Sequence, residues 1–249
     1  MKTDKYPIVE MVVKIASRCN LNCSYCYEYN KGDDTWKKAA KFMSPLTATL
    51  LGKRIQEHME EFKLDSFDIG FHGGEPLLMK PDKIQEIIDN IQKEVSTKIS
   101  FTLQTNGVLI NDDYCELFKK NNIQISVSID GLKESHDKNR LDHKNKASWD
   151  KAVAGIQKLQ DKCPDNFVGI LAVIDIDSNP IDTFDFLSSF NVDIDFLLPL
   201  QNYHDLPYWP NNDKTAYGKW YFEIYKEWLD GRNSHIDVRF IKNIITQLF

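Results

Sequence analysis

The stretch Cys19-Asn20-Leu21-Asn22-Cys23-Ser24-Tyr25-Cys26 decides how this chain is read. Three thiols fall within eight residues, with three residues between the first pair and two between the second. A loop so short cannot surround a large coordination shell, but it can wrap one corner of a compact metal centre. Three thiolates can hold three irons of a [4Fe–4S] cluster. Such clusters normally take four cysteines, so this loop leaves one iron open to an outside ligand. The same loop also suits a Cys3His zinc site with His72 as the fourth ligand. A third reading has buried free thiols that pack as small hydrophobes.

Outward from the cysteines, two patterns alternate. Residues 8–15, rich in Val and Ile, read as a buried strand that runs into the cysteine loop. Residues 27–41 are charged, include Gly32, and are expected to form an exposed connection. Ser44-Pro45 is a helix start, a capping serine followed by proline at the first helical position, and the helix is expected over 46–62. Further strands are expected over 66–72, 99–104, 124–129, 167–174 and 192–198. Helices are expected to open at Pro81, where Ile84, Ile87, Ile88 and Ile91 share one face, and after Asn111. Others are expected over 148–161, 181–190 and 215–229. Residues 133–146, with His136, Asp137 and Arg140, read as a polar connection. Six strands alternating with helices argue for parallel βα units. The candidate motifs fall just after strands, on the rim where parallel barrels do their chemistry.

The 249 residues suit one α/β barrel-sized domain, and 42% hydrophobic with 27% charged residues is ordinary for a soluble globular chain. A net charge of −6 argues against electrostatic binding of nucleic acid. Residues 1–10 are too polar for a signal peptide, and no apolar run approaches the length of a membrane span. Five cysteines, three of them clustered, suit a reducing compartment better than a disulfide scaffold. The expected location is cytoplasmic.

The C-x3-C-x2-C spacing, with the aromatic Tyr25 before the last cysteine, resembles the radical S-adenosylmethionine (SAM) superfamily. Gly73-Gly74-Glu75-Pro76 is similar to that family's GGEP motif, and Thr105-Asn106-Gly107 and Ser128-Ile129-Asp130-Gly131 match in order and distance. On these four matches the chain is identified as a member. The resemblance implies a partial, six-stranded (β/α) barrel of TIM-like α/β class, which agrees with the strand count. It also implies that Cys19, Cys23 and Cys26 hold one [4Fe–4S] cluster whose open iron is chelated by the amino and carboxylate groups of SAM. One electron from the reduced cluster then cleaves SAM to a 5′-deoxyadenosyl radical, which abstracts hydrogen from an unactivated carbon. That chemistry is the cofactor's.

Gly73 and Gly74 let backbone approach a ligand closely, and Glu75 or the local carbonyls accept from the methionyl ammonium; a plain Gly-Gly turn is the alternative. Ser128 and Asp130 sit where the family's ribose contacts fall, and both can bond sugar hydroxyls; a capped turn is the alternative. Gln104, Thr105 and Asn106 line the cofactor or substrate, with turn formation the alternative for Asn106. Arg140 matches an arginine that relatives aim at the SAM carboxylate, with an exposed arginine on a charged connection the alternative. Val173 is expected to wall the adenine and Tyr25 to give it a backbone contact, each with simple packing as the alternative. His72 either supports the cofactor pocket or is structural, and Cys115 and Cys163 are expected to be ordinary thiols.

Within the superfamily, residues 17–27 resemble the branch that modifies peptides and proteins, which includes anaerobic sulfatase-maturating enzymes and maturases of ribosomally made peptides. Residues 29–37 and Phe42-Met43-Ser44 resemble the maturases that install cyclophane crosslinks, joining an aromatic side chain to the β-carbon of a nearby residue. The resemblance thus implies modification of a peptide side chain, foremost carbon crosslinking in ribosomal peptide maturation. A formylglycine-generating sulfatase-maturating enzyme is the alternative. A non-catalytic metal-binding or electron-transfer module is the alternative of another class. The implied partners are a peptide or protein substrate and a one-electron reductant of flavodoxin or ferredoxin type. This branch usually carries a C-terminal SPASM or twitch domain with auxiliary-cluster cysteines, which the sequence lacks. Residues 1–230 are therefore expected to form the radical SAM core, and 231–249 a tail or the start of such a region. The stripe Trp220, Tyr221, Ile224, Tyr225 and Trp228 is expected to be core or interface, and Tyr203, His204, Pro207, Tyr208, Trp209 and Pro210 a substrate lip, with simple packing as the alternative.

Overall fold

In the computed structural model, which describes residues 6–202, 206 and 208–248, six strands pair in chain order. They are β1 (Glu10–Ala16), β2 (Ser66–Gly73), β3 (Lys98–Thr105), β4 (Gln124–Ser128), β5 (Phe167–Val173) and β6 (Asp193–Leu197). Every pairing is parallel, and among the described residues β1 does not pair with β6, so the sheet stays open. Parallel neighbours need a crossover between them. The crossovers are α1 (Pro45–Phe62), α2 (Pro81–Gln92), α3 (Asp112–Asn121), the pair α4 (Lys133–Asn139) and α5 (Trp149–Lys162), and α6 (Pro180–Ser188). Two more helices, α7 (Ala216–Leu229) and α8 (Arg239–Leu248), follow β6. This is the partial-barrel α/β architecture expected, and each strand begins and ends within two residues of its expected limits.

Local chemistry explains most of the boundaries. Ser44 accepts from Thr47 N at 3.1 Å, Pro45 takes the first helical position, and Lys63 leaves α1 in the left-handed conformation at φ 54°. Asn111 and Asn179 cap α3 and α6 in the same way; losing such a cap costs about 1 kcal/mol. Along the strands burial alternates. Phe101, Leu103 and Thr105 are buried while Thr102 is exposed and Gln104 half-buried; Ile125 and Val127 are buried while Ser126 and Ser128 are half-buried. The period of two sends one face under the helices and the other into the barrel interior. The helix-side face joins Ile84, Ile88, Phe118 and Ile156 in one contiguous core, where each such side chain contributes about 1.5–3 kcal/mol.

Two helices depart from the sequence reading. Residues 133–139 form a helix, not an open connection, yet they carry no apolar stripe. Polar tertiary contacts hold α4: His136 is 1% exposed, and Asp137 Oδ1 accepts from Ser148 N and Trp149 N at 3.0 and 2.9 Å. The second is α8, which covers the free edge of β6. Ile194 N donates to Asp237 O at 2.9 Å, Val238 bridges Ile194, and Ile236, Val238 and Ile241 are buried in the common core. Its stripe Phe240, Ile241, Ile244 and Ile245 was a readable signal at helical spacing.

The α7 stripe is core, with Trp220, Tyr221 and Ile224 buried and Tyr225 and Trp228 packed against them. Cys115 and Cys163 are also buried in the core. Of the expected lip, Tyr203, His204 and Pro207 lie outside the described residues. Among the described residues no helix is long and apolar enough to cross a membrane.

Candidate functional site

β1 hands the chain directly to the cysteine loop, and main-chain bonds seat that loop on the last residue of α4 and the segment after it. Asn22 N donates to Leu141 O at 2.7 Å, Ser24 N donates to Asn139 O at 3.0 Å, and Leu21 bridges Asp142. His143 Nε2 donates to Cys19 O at 3.0 Å. Cys19, Cys23 and Cys26 are half-buried and line one cavity of about 420 Å³ at the C-terminal ends of the strands. Burial pushes the Cys19 thiol up to about 12, and the nearby Glu75 charge adds to it. Burial likewise takes Cys23 to about 11, outweighing the downward pull of Arg140. Such thiols ionise only against a cation, which a metal centre supplies. Among the described residues no three His, Cys, Asp or Glu side chains converge to hold a single ion. His72, the fourth ligand of the zinc reading, lines the same cavity.

The glycine pair closes against this loop. A Cβ on Gly73 would lie 2.2 Å from Ala16 O, and one on Gly74 would lie 1.9 Å from Tyr29 Oη and 2.4 Å from Arg18 O. Gly74 N donates to Ala16 O at 2.9 Å and Glu75 N to Arg18 O at 2.8 Å. The crossing of β2 over the cysteine loop thus admits no side chain at either position. Glu75 lines the same cavity. It is 1% exposed and accepts from Leu77 N at 3.0 Å, Thr105 Oγ1 at 2.7 Å and Asn106 N at 2.8 Å. Burial raises its pKa, and these donors pull it back down. The carboxylate staples β2 to β3 through these bonds, which leaves the local carbonyls the less engaged of the two acceptors expected for an ammonium.

Asp130 brings a correction, because it does not line the cavity. It is 2% exposed; Oδ1 pairs with Arg140 Nη2 at 2.9 Å and accepts from Val173 N at 3.0 Å, while Oδ2 accepts from the Tyr25 hydroxyl. Its N–H donates to His136 Nδ1 at 3.4 Å. Ser148 Oγ donates to Arg140 O at 2.5 Å, so His136 Nε2 must be the donor in its 2.9 Å bond to Ser148. His136 is therefore neutral with its proton on Nε2. Burial, and then Arg140, lowers its pKa to about 4. This network holds the Arg140 guanidinium 5.6 Å from the centroid of the Tyr25 ring. Arg140 lines the cavity, and its Nε is buried with no partner among the described residues.

Tyr25, Gln104, Asn106, Ser128 and Val173 line the same cavity. Gln104 Nε2 donates to Ser128 Oγ at 2.8 Å and sets that hydroxyl. The sequence reading missed an apolar wall of Leu171, Leu197, Leu198 and Leu200. Its signal was position, since Leu197 is the last residue of β6. Arg239 was missed together with its helix; it reaches the rim and pairs with Asp195.

These residues fit a cluster paired with SAM: three thiols for three irons, the Arg140 guanidinium for a carboxylate, and the backbone of Gly73 and Gly74, all lining one cavity. A family model described as the Radical SAM superfamily matches residues 13–187. The cysteine-type anaerobic sulfatase-maturating enzyme of Clostridium novyi is 35% identical over 154 residues, 61% of this chain and 40% of that enzyme. The radical SAM cyclopropyl synthase TigE of Paramaledivibacter caminithermalis is 27% identical over 196 residues, 75% of this chain and 40% of the synthase. The chain thus spans 40% of the length of each of these curated relatives. Among solved structures, anSMEcpe with bound AdoMet shares the fold at a TM-score of 0.78 and 22% identity, over 94% of this chain and 64% of that one. SuiB of Streptococcus suis does so at 0.64 and 16%, over 93% of this chain and 49% of SuiB.

Proposed function

The chain belongs to the radical SAM superfamily, and from that premise we propose that it modifies a side chain of a peptide substrate by SAM-dependent radical chemistry. One observation carries this reading: the three thiols, Gly73, Gly74 and Arg140 line a single cavity. In this reading Cys19, Cys23 and Cys26 hold three irons of a [4Fe–4S] cluster. Main-chain carbonyls beside Gly73 and Gly74 take the methionyl ammonium, and Arg140 takes the carboxylate. Ser128, set by Gln104, meets a ribose hydroxyl. Val173 and the backbone of Tyr25 flank the adenine. Bound there, cluster and SAM supply one-electron cleavage of the cofactor and hydrogen abstraction from a substrate carbon. The chain's part is to hold and orient that pair, exclude water and present the peptide.

Leu171, Leu197, Leu198 and Leu200 make one side of the cavity apolar, and Leu198 and Leu200 stand exposed at its mouth. Such a wall suits an aromatic or aliphatic substrate side chain, which favours carbon crosslinking of a ribosomally made peptide. Oxidation of a Cys or Ser to formylglycine is the second reading, supported by the similarity to the Clostridium novyi enzyme. A one-electron protein donor of flavodoxin or ferredoxin type and a cytoplasmic location complete the proposal.

Anaerobic iron–sulfur reconstitution, then SAM and dithionite, tests it, with Cys23→Ala in parallel. The expected result is 5′-deoxyadenosine from the wild type and none from the variant. Zinc in place of iron would sink the reading, and a cluster without SAM cleavage would point to an electron-transfer module. A peptide rich in aromatic residues is expected to gain an internal crosslink by mass spectrometry. Formylglycine in a sulfatase-derived peptide would favour the second reading.

A further inference from the structure

Asn106 ends β3 at the turn where the sequence reading allowed either a cofactor contact or a plain turn residue. Its side chain does more than make the turn. Val108 N donates to Asn106 Oδ1 at 3.1 Å. That bond fixes which end of the amide is oxygen, so the NH2 must face the other way. There Nδ2 donates to Asn20 Oδ1 at 2.8 Å and lies 3.8 Å from Cys19 Sγ. The same sulfur accepts from Leu21 N at 3.4 Å. Among the described residues, Cys19 is the one cysteine of the loop whose sulfur receives a side-chain N–H. The amide is 7% exposed and its main chain is tied to the buried Glu75 carboxylate at 2.8 Å, so the donor is held in place.

We propose that Asn106 is a positioning residue that raises the reduction potential of the cluster through its N–H···S contact with Cys19. The inference rests on the cluster reading above and extends it to the electron that the reaction needs. Reduction adds negative charge to the cluster and its sulfurs. An N–H dipole aimed at one of those sulfurs favours the reduced state, and hydrogen bonds to sulfur are among the established controls of cluster potential. The neutral donor matters here because Glu75, whose charge already bears on Cys19, would push the potential the other way.

The test is an EPR-monitored redox titration of the reconstituted full chain, wild type against Asn106→Ser. Serine keeps an oxygen that can accept from Val108 N, and so keeps the turn, but it loses the amide donor. The expected result is full iron loading with a lower midpoint potential in the variant. An unchanged midpoint would show that Asn106 serves the turn alone. A raised midpoint would show that its loss mainly admits water; either result overturns the inference. Asn20→Ala is the second variant, useful if the serine chain does not fold. It leaves Asn106 in place and removes an oxygen 3.8 Å from the sulfur. Its midpoint is expected to stay or rise, and a fall would count against the inference. A wild type that forms no cluster overturns the reading beneath and this inference with it, whereas a normal cluster with an unmoved midpoint overturns the inference alone.

Discussion

At the scale of the residue, Asp130 ties Tyr25, Arg140 and Val173 together without lining the cavity. Asp130 and Arg140 are 2% and 7% exposed and pair at 2.9 Å. Taking away one partner leaves the other charge buried and uncompensated, so Asp130→Ala is expected to cost about 3–5 kcal/mol in denaturant unfolding. SAM affinity should fall with it, because Asp130 is the carboxylate that pairs with the guanidinium; undiminished affinity in a folded variant would show that Arg140 needs no aiming. His136 allows a pH test. Its folded pKa of about 4 lies below the ordinary value of 6.5. Between the two, the unfolded chain binds a proton that the folded chain does not. Its contribution is fully present above pH 6.5 and lost as pH falls through about 4, a difference of about 3 kcal/mol. In His136→Gln, whose amide can donate to Ser148 as Nε2 does, the decline of the urea midpoint over that window should flatten. An equally steep decline would assign it to other groups.

At the scale of the element, the site depends on how closely β2 crosses the cysteine loop. Gly74→Ala would set a methyl group 2.4 Å from Arg18 O, a main-chain atom that cannot swing away. Overpacking of this kind costs about 1–3 kcal/mol, and here it should also spoil iron uptake by shifting residues next to Cys19. Tyr29→Phe removes the nearer obstacle, the hydroxyl at 1.9 Å, but leaves the carbonyl. The double variant is therefore expected to take up no more iron than Gly74→Ala alone; recovery would locate the conflict in the side chain. Arg18 braces the other side of the crossing, donating to the carbonyls of Trp36 at 2.6 Å and Lys37 at 3.1 Å. The charged segment 27–41 is thereby tied to the loop that it follows.

At the scale of the whole molecule, the open sheet has an edge at β6 that the chain itself covers. Ile236, Val238 and Ile241 are 3%, 1% and 4% exposed in the common core. Ile241→Ala is expected to cost about 2–5 kcal/mol. Deleting residues 231–249 should cost more, since it also removes the bond from Ile194 N to Asp237 O. Thermal unfolding followed by circular dichroism checks both. An unchanged melting temperature after the deletion would restore 231–249 to the status of a tail. Arg239 comes from this same segment and stands on the cavity rim, so the deletion should also alter the mouth of the site.

Much of this was legible in the sequence because the signals are local. Cysteine spacing, proline and asparagine at helix starts, and the alternation of apolar residues each act within a few positions. Together they place six strands, the order of the motifs and the three thiols. The α8 stripe was legible too and went unread. What the tertiary structure alone decided is the division of labour among polar side chains that look alike in the sequence. Ser128 meets the cavity while Asp130, two residues on, is committed to Tyr25 and Arg140. Glu75 is spent on Leu77, Thr105 and Asn106, and α4 stands on contacts made by His136 and Asp137. The physical reason is the same in each case. A buried charge or amide takes its role from the partners that satisfy it, and most of those partners arrive from distant parts of the chain only when it folds.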